Sequence, residues 1–215
     1  MSDGSLSLPV RLYLLAWDPR KSEVTDGPLV RAGALVELVQ RGLLIDDDGV
    51  ATPVDLDSET GDAVLDGLLE LIRESRPHSW QGWLTLHARV TLDAVREQLT
   101  ADGYLRADRK RVLGVFPSVA YTLARTTAVD ALREEAEQLL TGPIPLPEIS
   151  PREAALLTLA TTTHLLPTPD PTRTTALTTQ ATTTYPALTP LLTTLKPQAQ
   201  GPTNAAWSRP GGPTI

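Results

Sequence analysis

The groups in this chain with the most chemical potential are guanidinium groups. Between residues 89 and 125, seven basic residues, Arg89, Arg96, Arg106, Arg109, Lys110, Arg111 and Arg125, stand against four acids. A guanidinium fork holds a phosphate bidentately, which an ammonium group does less well. Arg31 and Arg96, if they meet beside the 106–111 turn, would therefore make a phosphate site. Leu113, Val115 and Phe116 follow the basic run, so an apolar tip flanked by cations would enter the headgroup layer of an anionic bilayer. The same pattern also describes a solvated turn whose charges keep a strand edge unpaired, with core residues behind it.

Little else in the chain points to reactive chemistry. His78, His87 and His164 are scattered, with no HExxH and no pair at metal-ligand spacing, so no metal and no catalytic histidine is assigned. The absence of Cys removes thiol nucleophiles, thiolate metal sites and disulfides. Ten Asp and Glu crowd residues 46–74 against Arg73 alone, and the DDDG within them resembles a calcium loop. Setting Gly49 at the sixth loop position, however, places Leu44 where the first carboxylate ligand belongs. No phosphate loop, GxSxG or dinucleotide fingerprint occurs, so neither a cofactor nor a catalytic residue is expected. The net charge of −7 argues against nucleic acid as a partner and confines any anion site to a local patch. Trp17, Trp80 and Trp83 read as packing anchors.

These groups need elements to position them. Leu29, Ala32, Leu35, Val36 and Val39 form a helical stripe with Arg31, Glu37 and Gln40 beside it, closed by Gly42. GLLIDDDGVATPVD reads as a hairpin. A helix follows with Ser58 or Thr60 as its cap, Asp62 in its first turn, and Val64, Leu65, Leu68, Leu69 and Ile72 on one face. SWQGWLTL is a further helix or turn, TLDAVREQLTADG a helix closed by Gly103, and YLRADRKRVLGVFPSV a second hairpin. AVDALREEAEQLL is helical, and Ser150-Pro151-Arg152-Glu153 starts another helix with a capping box. The unit of helix, Gly, apolar pair and charged hairpin thus appears twice, which is also how a winged-helix nucleic-acid binder is written. From about residue 161 the composition turns to Thr and Pro, which predicts a partly helical closing region to about Leu195. The division expected is a disordered 1–5, a domain over 6–195 whose 165–195 part is Thr/Pro-rich, and a disordered tail over 196–215. No window is apolar enough for a membrane span, and Asp3 before the first apolar run has the wrong order for a signal peptide. A cytoplasmic protein, with peripheral contact at the inner face of the membrane left open, is expected.

In order, LPVRLYLLAWD, RAGALVELVQRGLL, TGDAVLDGLLELIRESRP, QGWLTL, VREQLTADGYL with its hairpin, and PREAALLTLA resemble the Golgi phosphoprotein 3 family (34 kDa Golgi phosphoprotein type) in its bacterial form, over about residues 6–165. The resemblance implies a mainly α fold: a single-domain helical bundle wrapped by amphipathic helices, with small β-hairpins, one of them projecting. It also implies a non-enzymatic peripheral adaptor, since eukaryotic relatives bind phosphatidylinositol 4-phosphate on Golgi membranes and retain glycosyltransferases there. Arg31 and Arg96 align with headgroup-binding arginines of the family, and the hairpin of about Leu105 to Tyr121 aligns with its membrane-inserting hairpin. A third family Arg falls on Asp93, and the binding Trp upstream of Arg31 has no counterpart. A carboxylate at that place removes one phosphate contact and adds repulsion. The partners implied are an anionic phospholipid headgroup and an unidentified protein, with homo-oligomerisation allowed. The rival reading is a cytoplasmic protein-interaction module that keeps the fold without lipid binding.

Overall fold

The computed structural model describes residues 6–18, 24, 26–112, 116–168 and 170–199. The expectation for 1–5 lies outside these residues, as does that for 200–215.

Helix α1 (Leu8–Leu15), α2 (Gly27–Gln40) and α7 (Pro151–Thr162) form the centre. All eight residues of α1 are buried, as are eleven of the fourteen in α2 and eight of the twelve in α7. A helix apolar on every side belongs inside a protein rather than on its surface. Here the structure corrects the reading of α2 as a one-faced helix: Arg31 and Glu37 do not flank an apolar stripe at the surface but are themselves buried. Close approach explains how α1 and α2 fit together. A Cβ at Gly33 would lie 2.6 Å from Leu12 Cδ1 and 3.1 Å from Pro9 Cα, so only glycine allows this spacing.

Helices α3 (Ala63–Glu74), α5 (Ala88–Ala101) and α6 (Thr126–Thr141) bury one face each and wrap this centre, with the short α4 (Trp80–Thr85) against α2. Residues on the core face of α3 are those the spacing indicates, Val64, Leu65, Leu68, Leu69 and Ile72. Its cap is different. Asp62, not Ser58 or Thr60, accepts from the amides of Val64 and Leu65, while Thr60 donates its amide and hydroxyl to Asp66. A carboxylate fills this capping role at least as well as a hydroxyl, and its charge complements the helix dipole.

The repeated unit is real at the level of hydrogen bonds. After α2, Gly42 at φ 71° donates to Val39 O and Leu43 donates to Leu38 O. After α5, Gly103 at φ 74° donates to Thr100 O and Tyr104 donates to Leu99 O. Both are Schellman closures, and each launches an antiparallel hairpin: β1 (Leu44–Asp47) with β2 (Val50–Pro53), and β3 (Leu105–Val112) with β4 (Phe116–Leu123). A third closure of this type ends α7, where His164 donates to Thr161 O and Leu165 to Ala160 O. Its left-handed residue is an exposed histidine at φ 58°, a conformation in which any Cβ is strained. His164→Gly should therefore stabilise the fold by about 1 kcal/mol and raise Tm by about 2 to 4 °C; a lower Tm in a thermal melt would show that the imidazole holds the turn.

The closing region is more ordered than its composition suggests. Helix α8 (Pro171–Thr184) starts at Asp170, whose carboxylate caps Thr172 and Arg173, and α9 (Leu188–Ala199) carries residues 196–199 that were expected to belong to a disordered tail. Buried Leu177, Ala181, Leu188, Leu191, Leu192 and Leu195 join both helices to the core. The whole is a mainly α single domain with two small hairpins.

Candidate functional site

Helix α2 carries Arg31 into the interior, where its side chain is fully buried. Nη2 donates to the carbonyl of His87, the left-handed residue that precedes α5. Nε and Nη1 have no hydrogen-bond partner. Burial alone pushes the Arg31 pKa down to about 10, because no carboxylate compensates for the lost hydration. His87 itself is exposed, so the guanidinium lies one residue beneath the surface at the start of α5.

Arg96 is differently placed. It sits on α5, nine residues beyond His87, a distance along the helix of about 13 Å. Nη1 pairs with Asp93 at 2.9 Å, Nη2 donates to Val24 O at 2.9 Å, and Nε donates to the Tyr13 hydroxyl at 3.4 Å. The guanidinium carbon lies 5.4 Å from the centre of the Tyr121 ring. Burial disfavours its charge, but the Tyr13 hydroxyl and the Asp93 carboxylate outweigh this and raise its pKa. Burial in turn raises the Tyr13 pKa, with Arg96 working the other way. Asp93 also faces Arg89 at 3.6 Å. Among the described residues, Arg31 and Arg96 share no partner.

The β3–β4 hairpin leaves the domain from α5. Leu105 and Tyr104 at its base are buried, whereas Arg106, Ala107, Asp108 and Val119 are exposed. The Arg125 guanidinium stacks on Tyr104 at 4.7 Å, so both sides of the base rest on an arginine over a tyrosine. Arg109, Lys110 and Arg111 occupy β3 opposite Val119, Ser118 and Pro117, and Phe116 opens β4 opposite Val112. The side chains of residues 109–118, and residues 113–115 with Leu113 and Val115, lie outside the described structure.

Reading the sequence alone passed over the tyrosines. The chain has only four, and Tyr13, Tyr104 and Tyr121 all take part in these arginine contacts. Their scarcity in an otherwise Leu-rich chain was the available signal. It also passed over Glu37, whose carboxylate is 2 % exposed. Oε1 accepts from Arg41 Nη2 at 2.7 Å and from Arg152 Nη2 at 3.1 Å, and Oε2 accepts from the Leu8 amide at the start of α1. With the bidentate Arg11–Glu153 pair at 2.7 and 2.9 Å, this carboxylate locks α1, α2 and α7 together.

A buried helical centre, a collar of amphipathic helices and a cationic hairpin seated on arginine–tyrosine contacts define a helical domain of one recognisable type. The model of the Golgi phosphoprotein 3 (GPP34) family matches residues 8–199. The chain belongs to this family. The match runs past residue 165, so the Thr-rich helices α8 and α9 are part of the family domain. No curated protein matches the chain. No helix among the described residues is long and apolar enough to cross a membrane.

Proposed function

We propose that this protein is a non-enzymatic peripheral adaptor that binds anionic phospholipid headgroups, phosphatidylinositol 4-phosphate or a similar phosphate, at the cytoplasmic face of a membrane. The observation that carries this reading is Arg31: a fully buried guanidinium with two nitrogens unpartnered. A buried cation with a single acceptor costs the fold several kcal/mol, and a phosphate reaching it beside His87 would supply the missing acceptors. Arg96 enters the same reading under competition, because a headgroup must displace the Asp93 carboxylate from Nη1. Strand β3 supplies Arg106, Arg109, Lys110 and Arg111, and Leu113, Val115 and Phe116 would enter the headgroup layer.

Flotation with vesicles prepared with and without anionic lipid tests this. Binding is expected on the anionic vesicles only and should weaken steeply with salt. Replacing Arg106, Arg109, Lys110 and Arg111 by Ala should reduce it by about 1,000-fold, at roughly 1 kcal/mol for each cation near the surface. No flotation at low salt, or unchanged flotation of that variant, would remove lipid binding from the reading. The protein-interaction module would then stand, favoured by the internal partners that already occupy all three nitrogens of Arg96.

A further inference from the structure

Three arginines and two carboxylates gather along the first half of α5, and their pairing decides which kind of phosphate fits there. Arg31 is fully buried, with Nε and Nη1 free of acceptors. A Cβ on Gly27 would lie 3.6 Å from Ala88, so the starts of α2 and α5 are in contact. Asp26 stands at that junction as the half-buried cap of α2, accepting from the Leu29 amide at 2.9 Å. Burial raises its pKa, and it has no cationic partner among the described residues.

Farther along α5, Asp93 lies between two cations. Oδ1 pairs with Arg96 Nη1 at 2.9 Å and Oδ2 faces Arg89 Nε at 3.6 Å, so these three groups together leave a single net positive charge. The Arg96 side chain is 13 % exposed, and each of its nitrogens already has an acceptor in Asp93, Val24 O or the Tyr13 hydroxyl. Arg31 is thus the one guanidinium of the three that lacks a carboxylate neighbour.

Phosphatidylinositol 4-phosphate carries two kinds of phosphate, a diester with a single negative charge and a monoester with about −1.5 to −2 at neutral pH. One buried guanidinium balances the first. The second would leave charge uncompensated where hydration is low, and Asp93 beside it would add like-charge repulsion. The cations of β3 do not discriminate, because their attraction to an anionic surface acts on either headgroup. Resting on the reading of Arg31 as a headgroup site, we propose that this protein takes the phosphodiester of an anionic glycerophospholipid there, and that Asp93 selects against a phosphomonoester.

Vesicles containing phosphatidylinositol or phosphatidylinositol 4-phosphate, adjusted to equal surface potential through their lipid fraction, compare headgroups that differ in the monoester alone. The full chain should float equally with both. Asp93→Asn should create a preference of about tenfold for the 4-phosphate vesicles, the worth of one charge-assisted hydrogen bond gained by Arg96, whereas Asp93→Glu should behave as the parent. The Asp93 side chain is 48 % exposed, and Arg96 keeps Val24 O and the Tyr13 hydroxyl in either variant, so the fold should survive, as circular dichroism would confirm. A parent that prefers 4-phosphate vesicles at equal potential overturns the proposal, as does an Asp93→Asn variant without that preference, and both results leave lipid binding itself in place. Absence of flotation with either lipid would instead remove the headgroup reading, and this inference with it.

Discussion

Glu37→Ala should destabilise the fold by about 3 to 5 kcal/mol, the range for removing one partner of a buried ionic network, and lower Tm by about 10 °C or more. The size of the effect follows from what would be left behind. Arg41 and Arg152 both direct Nη2 at Oε1, and the Leu8 amide, one of the unpaired donors at the start of α1, loses Oε2. The Ser7 side chain makes no cap hydrogen bond there to replace it. Arg152 keeps a single acceptor, Leu6 O at 3.1 Å, for the same nitrogen, and its Nε has none at all. Glu37→Gln should cost less than the alanine variant but remain clearly destabilising, since its amide group cannot accept from the amide of Leu8 and the two arginines together. Urea titration of Glu37→Ala, Arg152→Ala and the double variant measures the coupling. A loss below about 1 kcal/mol for Glu37→Ala, or additive single effects, would show that α1 is held without this carboxylate.

Why Glu37 and Arg31 were misread in the sequence has a physical answer. In GPLVRAGALVELVQ the apolar residues fall on every side, and Ala32, Gly33 and Ala34 are small enough for another helix to approach closely. A stripe can be drawn through such a sequence, but the composition belongs to a helix surrounded by others. Within that setting a lone Arg and a lone Glu six positions apart are interior groups, and which partners meet them depends on α7 and α5, far away along the chain. Elements set by local rules were legible: the closures at Gly42 and Gly103, the Ser150-Pro151 start of α7 and the core face of α3. The start of α8 was legible as well, since Asp170-Pro171 repeats the Ser150-Pro151 pattern, but the Thr content hid it. In the folded helix those threonines satisfy their hydroxyls on the helix itself. Thr174, Thr178, Thr179, Thr182 and Thr184 each donate to the carbonyl four residues before, a local arrangement that no apolar periodicity reveals. As for the candidate site, the sequence singled out Arg31 and Arg96 by type, whereas their engagement with Tyr13, Asp93 and His87 comes from tertiary contacts.

Arg31→Met should make the protein more stable and, on the proposed function, abolish headgroup binding, because the same under-partnered guanidinium underlies both effects. In the free protein the charge is buried with one acceptor. The methionine variant removes it while keeping an unbranched apolar side chain in the space. His87 O loses Arg31 Nη2 but retains the Val90 amide at 2.9 Å, so no carbonyl is left unpaired. The gain should be about 1 to 2 kcal/mol, or about 5 °C in Tm. The pH dependence separates this from a packing effect. Burial lowers the Arg31 pKa from its ordinary value to about 10. Below about 10 both folded and unfolded chains keep the proton, and the folded state bears the full cost. Above about 10 the folded chain releases a proton that the unfolded chain, with an ordinary guanidinium, retains, so the cost shrinks as pH rises. The stability gap between Arg31→Met and the parent should therefore be largest at neutral pH and narrow above about pH 10, read as the difference between paired urea titrations. A methionine variant less stable than the parent, or a gap that stays constant across this range, would mean that Arg31 holds the fold rather than awaits an anion. With the gap as expected, loss of flotation in the same variant would tie the stored electrostatic cost to the phosphate that relieves it.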